Sequence, residues 1–141
     1  MPNQCTINHI DHIGIAVKNI EQSVAFFTSI FGVPKPTISE ILDQQVKATL
    51  IEIGQTRIEL LEATNDDSPV GRFISSKGEG LHHLALNVDS ISDKLETLKE
   101  LNIDLIDQSP REGLSGTIAF IHPKSVFGVL TELVESNSLE S

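Results

Sequence analysis

The strongest constraint on the fold is an internal repeat, because the chain resembles itself at a spacing of 71 residues. Residues 11–17 (DHIGIAV) match residues 82–88 (HHLALNV), and the apolar positions that follow keep this spacing. Near the end of each half, residues 57–62 (RIELLE) match residues 130–135 (LTELVE) at a spacing of 73. Each half therefore begins with a strand-like segment that carries His and ends with one that carries Glu.

Both halves have the same predicted order of elements: a strand, a helix and three more strands. Alternating apolar residues predict strands, and apolar residues three and four apart predict helices. In the first half we predict strands over residues 8–17, 37–42, 46–53 and 56–62, with a helix that Asn19 caps and Gly32 ends. In the second half we predict strands over residues 82–88, 103–108, 117–122 and 128–135, with a helix over residues 91–101.

A polar linker joins the two halves and contains a short predicted helix. Ser68 and Pro69 suit the N-cap and the first position of a helix, and Gly78 suits its end, so we predict a helix over residues 69–77. The sequence thus predicts an α+β fold of two tandem βαβββ modules around a curved sheet cleft. We expect one domain over residues 1–141, made of a module at 8–62, a linker at 63–80 and a module at 81–135.

The composition excludes several classes of function. The 141 residues include 20 acidic and 10 basic side chains, and the resulting charge of −10 disfavours binding to nucleic acid or anionic membranes. No apolar run reaches the ~18–20 residues of a membrane span, and the first residues resemble no targeting signal. A single cysteine cannot form an internal disulfide, which is typical of the cytoplasm. We therefore expect a soluble cytoplasmic protein that binds neither nucleic acid nor membranes.

The two histidine-bearing strands have small residues on the histidine face. His12 shares a strand face with Gly14 and Ala16, and His83 shares one with Ala85, because side chains alternate along a strand. The larger apolar residues lie on the other face, which we expect to pack against the helices. The small residues would leave room for a cleft on the histidine face.

Each half also places a carboxylate within an apolar strand, at Glu59 and at Glu132. Such a carboxylate is costly unless it is paired or coordinated. Because each half also supplies a His, the pattern suggests one shared site with two imidazoles and two carboxylates. That donor set suits Co, Ni, Zn, Mn or Fe rather than a dedicated calcium site.

Over residues 8–135 the chain resembles the vicinal oxygen chelate (glyoxalase-like) superfamily, and within it the methylmalonyl-CoA epimerase family. Residues 10–17 and 58–62 carry the broader resemblance. The segments more specific to the epimerases are Asp67-Ser68-Pro69 at the linker helix, Gly80-Leu81-His82-His83 and His122-Pro123-Lys124-Ser125, and residues 128–133 (GVLTEL) also carry the resemblance. The resemblance implies that the metal ligands are His12, Glu59, His83 and Glu132. Strand alternation places His82 on the opposite face, where we expect it to have a structural role.

The resemblance further implies an isomerase that interconverts the (R) and (S) forms of methylmalonyl-CoA by moving the C2 proton through a metal-bound enolate. Its cofactor would be a divalent metal ion (Co, Zn, Ni or Mn), its substrate an acyl-CoA, and its assembly a homodimer. Glu132 and Glu59 are the expected acid-base residues. The expected substrate contacts are Arg72, Lys77, Ser115 and Lys124, with the loop around Arg111-Glu112-Gly113 bordering the cleft.

One departure from the family leaves the second proton carrier open. Some epimerases have a further carboxylate on the third strand, whereas residues 46–50 (VKATL) contain no acid. The second carrier could therefore be Glu59, a carboxylate displaced from the metal, or a water molecule.

Three other functions are compatible with a related fold. Lactoylglutathione lyase (glyoxalase I) uses the same four ligand types, and only the epimerase-specific segments argue against it. A ring-cleaving dioxygenase would use two His and one carboxylate on iron, which the fourth ligand and the short chain disfavour. A non-catalytic ligand-binding protein would need an aromatic-lined cavity, and six Phe with no Trp or Tyr make a poor one.

Overall fold

The computed structural model describes residues 6–114 and 116–136. The strands are β1 Ile7–Ala16, β2 Ser39–Ile41, β3 Val46–Ile53, β4 Thr56–Ala63, β5 Gly80–Val88, β6 Arg111–Gly113, β7 Gly116–Ile121 and β8 Thr131–Glu135. The α-helices are α1 Ile20–Phe31, α2 Pro69–Lys77 and α3 Ile91–Glu100, and short 3-10 turns span Leu42–Gln44 and Pro123–Val126. The longest of these helices, α1, has 12 residues, so no helix in the described part of the chain could span a bilayer.

The chain folds into two compact units, and the boundaries between them fall inside β1, after Asp11, and inside β5, after His82. The first unit is His12–His82, with strand order β2-β3-β4-β1. The second contains residues 6–11 and 83–136, with strand order β5-β8-β7-β6. In each unit one pair is parallel, β1 with β4 and β5 with β8, and the other pairs are antiparallel. This repetition confirms the predicted α+β fold of βαβββ modules.

Each unit has a hydrophobic core between its helix and one face of its strands. In the first unit Ile20 and Val24 of α1 pack against Ile51 and Leu60 of the strands. The second unit repeats this with a buried cluster of Val88, Ile91, Leu95, Ala119, Ile121 and Leu133. The prediction that the larger apolar residues pack against the helices is therefore confirmed, and the opposite strand face remains available for a site.

The two repeats begin their helices in the same way. Asn19 accepts a hydrogen bond from the amide of Gln22 at 2.9 Å, and Ser90 accepts one from the amide of Asp93 at 3.2 Å. The first helical amide of each helix instead binds a carboxylate from the last strand of its own half. The amide of Ile20 donates to Glu62 at 2.8 Å, and the amide of Ile91 donates to Glu135 at 2.9 Å. These contacts satisfy amides that have no partner within the helix.

The linker before α2 is closed by local hydrogen bonds. The hydroxyl of Ser68 donates to the carbonyl oxygen of Asn65 at 2.7 Å and accepts from the amide of Gly71 at 3.1 Å. A Cβ at Gly71 would lie 2.5 Å from the carbonyl oxygens of both Asn65 and Asp66. The predicted helix over residues 69–77 is confirmed, and its approach to the linker backbone requires Gly71.

The predicted strand over residues 103–108 is wrong. This segment makes one isolated bridge, Leu105 to Ile121, and the amides of Ile106 and Asp107 both donate to the same carbonyl oxygen, that of Phe120. Ile103 and Leu105 instead pack as apolar contacts against the α3 core. The edge strand of this half is β6, three residues further along the chain.

The last predicted strand, over residues 128–135, begins later than expected. The amide of Gly128 donates to the carbonyl oxygen of Pro123, and the amide of Val129 donates to that of Val126. These hydrogen bonds fold residues 123–129 into turns that do not pair with a neighbouring strand, so β8 starts at Thr131.

Candidate functional site

In the first unit, His12 and Glu59 form a buried pair on the strand face opposite the helix. Nε2 of His12 lies 3.2 Å from Oε1 of Glu59, and the two side chains are 2% and 8% exposed. The parallel register of β1 and β4 places Gly14 directly beside Glu59. Because Gly14 has no side chain, the carboxylate can reach along the face to the imidazole.

The second unit repeats this pair with His83 and Glu132. Nε2 of His83 lies 3.0 Å from Oε1 of Glu132, and the side chains are 3% and 6% exposed. The register of β5 and β8 places Ala85 beside Glu132, as Gly14 stands beside Glu59. The internal repeat of the sequence is therefore matched by the same contact, between His Nε2 and Glu Oε1, in both halves.

The second pair is bordered by apolar side chains on its own strand face. The rings of Phe120 and His83 pack in a T-shaped arrangement, with 5.8 Å between the ring centroids. Phe120 also joins a cluster with Ile118 and Val134. These groups limit access of water to the carboxylate of Glu132, and a charge in such surroundings needs a cation or a donor close by.

The chemistry of the donors fits a divalent transition metal. All four side chains are buried, and each pair presents one imidazole nitrogen and one carboxylate oxygen in contact. Imidazole and carboxylate together suit Zn, Co, Ni and Mn, and two carboxylates would balance the charge of a divalent ion. Each pair can therefore contribute one imidazole and one carboxylate as metal ligands.

The third strand has no acid beside Glu59, as the sequence predicts. The antiparallel register places Leu50 opposite Glu59 and Ala48 opposite Leu61, so both β3 residues share the Glu59 face. The next β3 residue on that face is Glu52, which lies opposite Arg57 and is exposed. The alternation of side chains along β3 is the sequence signal that places Glu52 on this face.

His82 has a different environment from its neighbour His83. Its ring packs against Phe73 of α2, with 4.9 Å between centroids in an edge-to-face arrangement. This contact links β5 to the linker helix, which agrees with the expectation that His82 points to the opposite face and supports the structure.

Three of the four predicted substrate contacts lie in the described part of the chain, on two separate elements. Arg72 and Lys77 are exposed on α2, where the Lys77 ammonium lies 5.7 Å from the centre of the Phe73 ring. Lys124 is exposed in the turn before β8. Ser115 lies outside the described residues. The roles of these four residues therefore remain predictions.

The His-Pro-Lys-Ser turn has a structural role. Nδ1 of His122 accepts a hydrogen bond from the amide of Lys124 at 3.0 Å, and the amide of His122 donates to the carbonyl oxygen of Asp104 at 3.0 Å. The hydroxyl of Ser125 accepts from the amide of Asp104 at 2.9 Å. The turn thus fixes the segment that precedes β6, and these contacts account for its His and Ser without a ligand.

Comparisons with known proteins point to one superfamily. The family model described as Glyoxalase/Bleomycin resistance protein/Dioxygenase superfamily matches residues 11–120. The chain is 38% identical over 130 residues to the uncharacterized protein YqjC of Bacillus subtilis, covering 92% of this chain and 93% of YqjC. It is 34% identical over 131 residues to the mitochondrial methylmalonyl-CoA epimerase of Dictyostelium discoideum, covering 92% of this chain and 79% of that protein.

A solved structure gives a similar result. A methylmalonyl-CoA epimerase in complex with methylmalonyl-CoA and NH4+ superposes with a TM-score of 0.90 at 33% sequence identity. The match covers 96% of this chain and 99% of that one.

Proposed function

Because the chain belongs to the glyoxalase/bleomycin resistance protein/dioxygenase superfamily and, within it, to the methylmalonyl-CoA epimerases, a family of isomerases, we propose that it interconverts (R)- and (S)-methylmalonyl-CoA. The observation that carries the proposal is the repeated, buried His/Glu pair. A carboxylate is rarely buried in an apolar strand unless it is paired, and here one is buried against an imidazole twice, at matching positions.

The metal site of the proposal consists of His12, Glu59, His83 and Glu132 acting on one divalent ion. The burial of all four side chains and the contact within each pair support it. When bound, the ion would act as a Lewis acid that stabilises negative charge on the oxygens of the substrate. The donor set favours Zn, Co, Ni or Mn over calcium.

The reaction requires a group that takes the C2 proton and a group that returns one to the opposite side. The C2 proton of methylmalonyl-CoA is acidic because the charge left behind spreads onto the thioester oxygen. We assign one transfer to the carboxylate of Glu132 and the other to that of Glu59. Their equivalent positions in the two repeats support this assignment, since symmetric groups suit a reaction that runs both ways.

The protein around Glu132 would favour proton transfer by excluding water. Phe120, Ile118 and Val134 border the His83/Glu132 pair with apolar surface, so few waters compete for the carboxylate. Charge interactions are stronger in such surroundings than in bulk water. The same apolar side chains would protect the deprotonated substrate from side reactions with water.

Inversion of a single epimer tests the proposed function. Epimerically pure (S)-methylmalonyl-CoA is incubated with chelator-treated protein and with protein reloaded with Co²⁺, and the two epimers, which are diastereomers, are separated by liquid chromatography. We expect an equal mixture of epimers only with the reloaded protein. No inversion, combined with conversion of the hemithioacetal of methylglyoxal and glutathione, would instead identify glyoxalase chemistry.

Two further expectations remain proposals about this chain. The homodimer is supported by an exposed apolar surface on α1, where Phe26, Ile30 and Phe31 are each more than half exposed. Light scattering would show a mass twice the 15.4 kDa of the chain. The cytoplasmic location is supported by the single cysteine, which matches a reducing compartment.

A further inference from the structure

The connection between β7 and β8 differs from its counterpart in the other repeat. Only residues 54 and 55 join β3 to β4, whereas the whole segment 122–130, here named the β7–β8 turn, joins β7 to β8. Both connections lead into a strand that carries the Glu of a His/Glu pair. Because insertions between repeated elements often supply binding residues, the extra residues of the β7–β8 turn are candidates for contacts with a ligand.

The β7–β8 turn is held by hydrogen bonds and ends beside the second His/Glu pair. The amides of residues 125, 128 and 129 donate to carbonyl oxygens of the turn itself at 2.8–3.0 Å. At its end the carbonyl oxygen of Leu130 accepts from the amide of Leu84 at 3.1 Å, which places Leu130 next to the strand that carries His83. Glu132 follows two residues later. A ligand that occupies the second pair would therefore pass close to this turn.

Phe127 has two properties that are costly in the free protein. Its φ of +56° and ψ of +34° lie in the left-handed region, which bulky side chains rarely adopt. The other non-glycine residues with positive φ in the described part of the chain, Gln45 and Asn102, are polar. Phe127 is also 98% exposed, so its ring contacts water on both faces. Strained backbone of this kind is concentrated at ligand-binding sites, and an exposed ring gains free energy only when something covers it.

We propose that Phe127 stacks on the adenine of the coenzyme A part of the substrate. This inference deepens the proposed function and rests on its acyl-CoA substrate. A flat ring that is open on both faces suits a flat aromatic base, and such stacking needs no hydrogen-bonding partner. The exposed Lys124 lies three residues earlier on the same turn. In a chain with net charge −10, it would supply the local positive charge that the phosphates next to the adenine need.

The position of Phe127 suits the nucleotide rather than the acyl group. Phe127 precedes Leu130 by three residues, so their Cα atoms are at most ~11 Å apart. The acyl group would bind at His83 and Glu132, which are buried, whereas Phe127 is in solvent. The pantetheine arm extends from the thioester and carries the adenine away from the reacting carbon. An exposed ring on a turn that is hydrogen-bonded to β5 lies where the far end of such a ligand would leave the protein.

The test compares two ligands that differ only in the nucleotide. Calorimetric titration of the metal-loaded protein uses propionyl-CoA, which has the adenine, and S-propionylpantetheine, which has the same thioester and lacks the nucleotide. For Phe127→Gly we expect the Kd of propionyl-CoA to rise about 5- to 100-fold, the range for loss of a base stacked on an aromatic ring. The Kd of S-propionylpantetheine should not change. Phe127→Trp keeps an aromatic face and should bind propionyl-CoA about as tightly as wild type.

Two controls separate stacking from a loss of folding or of exposed apolar surface. Phe127→Gly relieves the left-handed strain, so it should unfold at the same urea concentration as wild type or a higher one. Leu101→Ala removes another exposed apolar side chain of the same unit, at the end of α3, and should leave both affinities unchanged. Equal weakening of both ligands in Phe127→Gly, unchanged propionyl-CoA affinity, or an equal effect in Leu101→Ala would each overturn the inference.

The same samples separate this inference from the proposed function. If wild-type protein inverts methylmalonyl-CoA and Phe127→Gly binds propionyl-CoA as tightly as wild type, only the role of Phe127 is wrong. If wild type shows the Phe127-dependent preference for propionyl-CoA over S-propionylpantetheine without inversion, the epimerase proposal is wrong and the adenine contact stands. If wild type binds neither ligand, both are wrong.

Discussion

Oε1 of Glu59 lies 3.2 Å from Nε2 of His12, and both side chains are almost completely buried. A buried carboxylate that contacts an imidazole is stable when the imidazole carries a proton or when both groups bind a cation. The repeat of this contact at His83 and Glu132 makes the second explanation more economical, because one divalent ion would account for both contacts.

Metal binding should depend on both halves of the chain at once. We expect His12→Ala and His83→Ala each to weaken Co²⁺ or Zn²⁺ binding by at least 10-fold, because each removes one of four ligands. Wild type should bind one ion per chain, measured by elemental analysis after dialysis and by titration with a competing chelator.

The control for metal binding is His122→Ala, which removes an exposed imidazole that accepts a hydrogen bond from the amide of Lys124. It should bind metal as wild type does. If the two His/Glu pairs bind separate ions, wild type will bind two ions per chain and each histidine variant will keep one. That stoichiometry would contradict a shared site.

Removing the charge of Glu132 should slow proton transfer more than it weakens metal binding. Glu132→Gln keeps the shape and an oxygen ligand but cannot accept the C2 proton as a carboxylate does. We expect inversion to fall about 100- to 10,000-fold, the usual contribution of a general base, in protein shown to be metal-loaded.

Glu52→Gln is the matched control for this experiment, because Glu52 is exposed on β3 and shares the Glu59 face. It should keep the wild-type rate. Full activity of Glu132→Gln with bound metal would rule out its role as an acid-base group. A large loss in Glu52→Gln would instead make Glu52 a candidate for the second proton carrier.

The carboxylates at the helix starts should stabilise both repeats by similar amounts. Glu62→Ala and Glu135→Ala each remove the acceptor of the first helical amide, that of Ile20 or Ile91. We expect each to lower the free energy of unfolding by about 1–2 kcal/mol, measured by urea denaturation. Glu96→Ala, at an exposed position of α3, should change it by less than about 0.5 kcal/mol.

Gly71 should not tolerate a methyl group, even though alanine favours helices. The added Cβ would lie 2.5 Å from two backbone carbonyl oxygens of the linker, which cannot move as a flexible side chain can. We expect Gly71→Ala to lower the free energy of unfolding by about 1–3 kcal/mol. Ser75→Ala, at an exposed position of the same helix, adds helix propensity without a clash and should be neutral or slightly stabilising.

The sequence predicted elements whose signals are local. The β3 bounds, the α2 bounds and the caps at Asn19 and Ser90 agree with the structure, because alternation and capping depend on neighbouring residues. The face of each strand was also predictable from alternation. That is why the sequence alone could place His83, rather than His82, on the same side as Glu132.

Features that depend on distant contacts were missed. Residues 103–108 have strand-like alternation, but Ile103 and Leu105 are needed in the α3 core, so the backbone does not join the ladder. The carboxylate of Glu135 binds an amide 44 residues away, and the stacking of Arg111 on Phe120 depends on the register of β6 and β7. No local pattern encodes such contacts.

The most direct test of the central claim is exchange of the C2 proton of methylmalonyl-CoA with solvent. Metal-loaded protein and its chelator-treated form are incubated with the substrate in deuterium oxide. The deuterium content of the recovered acyl-CoA is then measured by mass spectrometry. Incorporation of one deuterium at C2, far above background and only with metal present, is the predicted result. No incorporation by folded protein with one bound metal ion per chain would contradict the account.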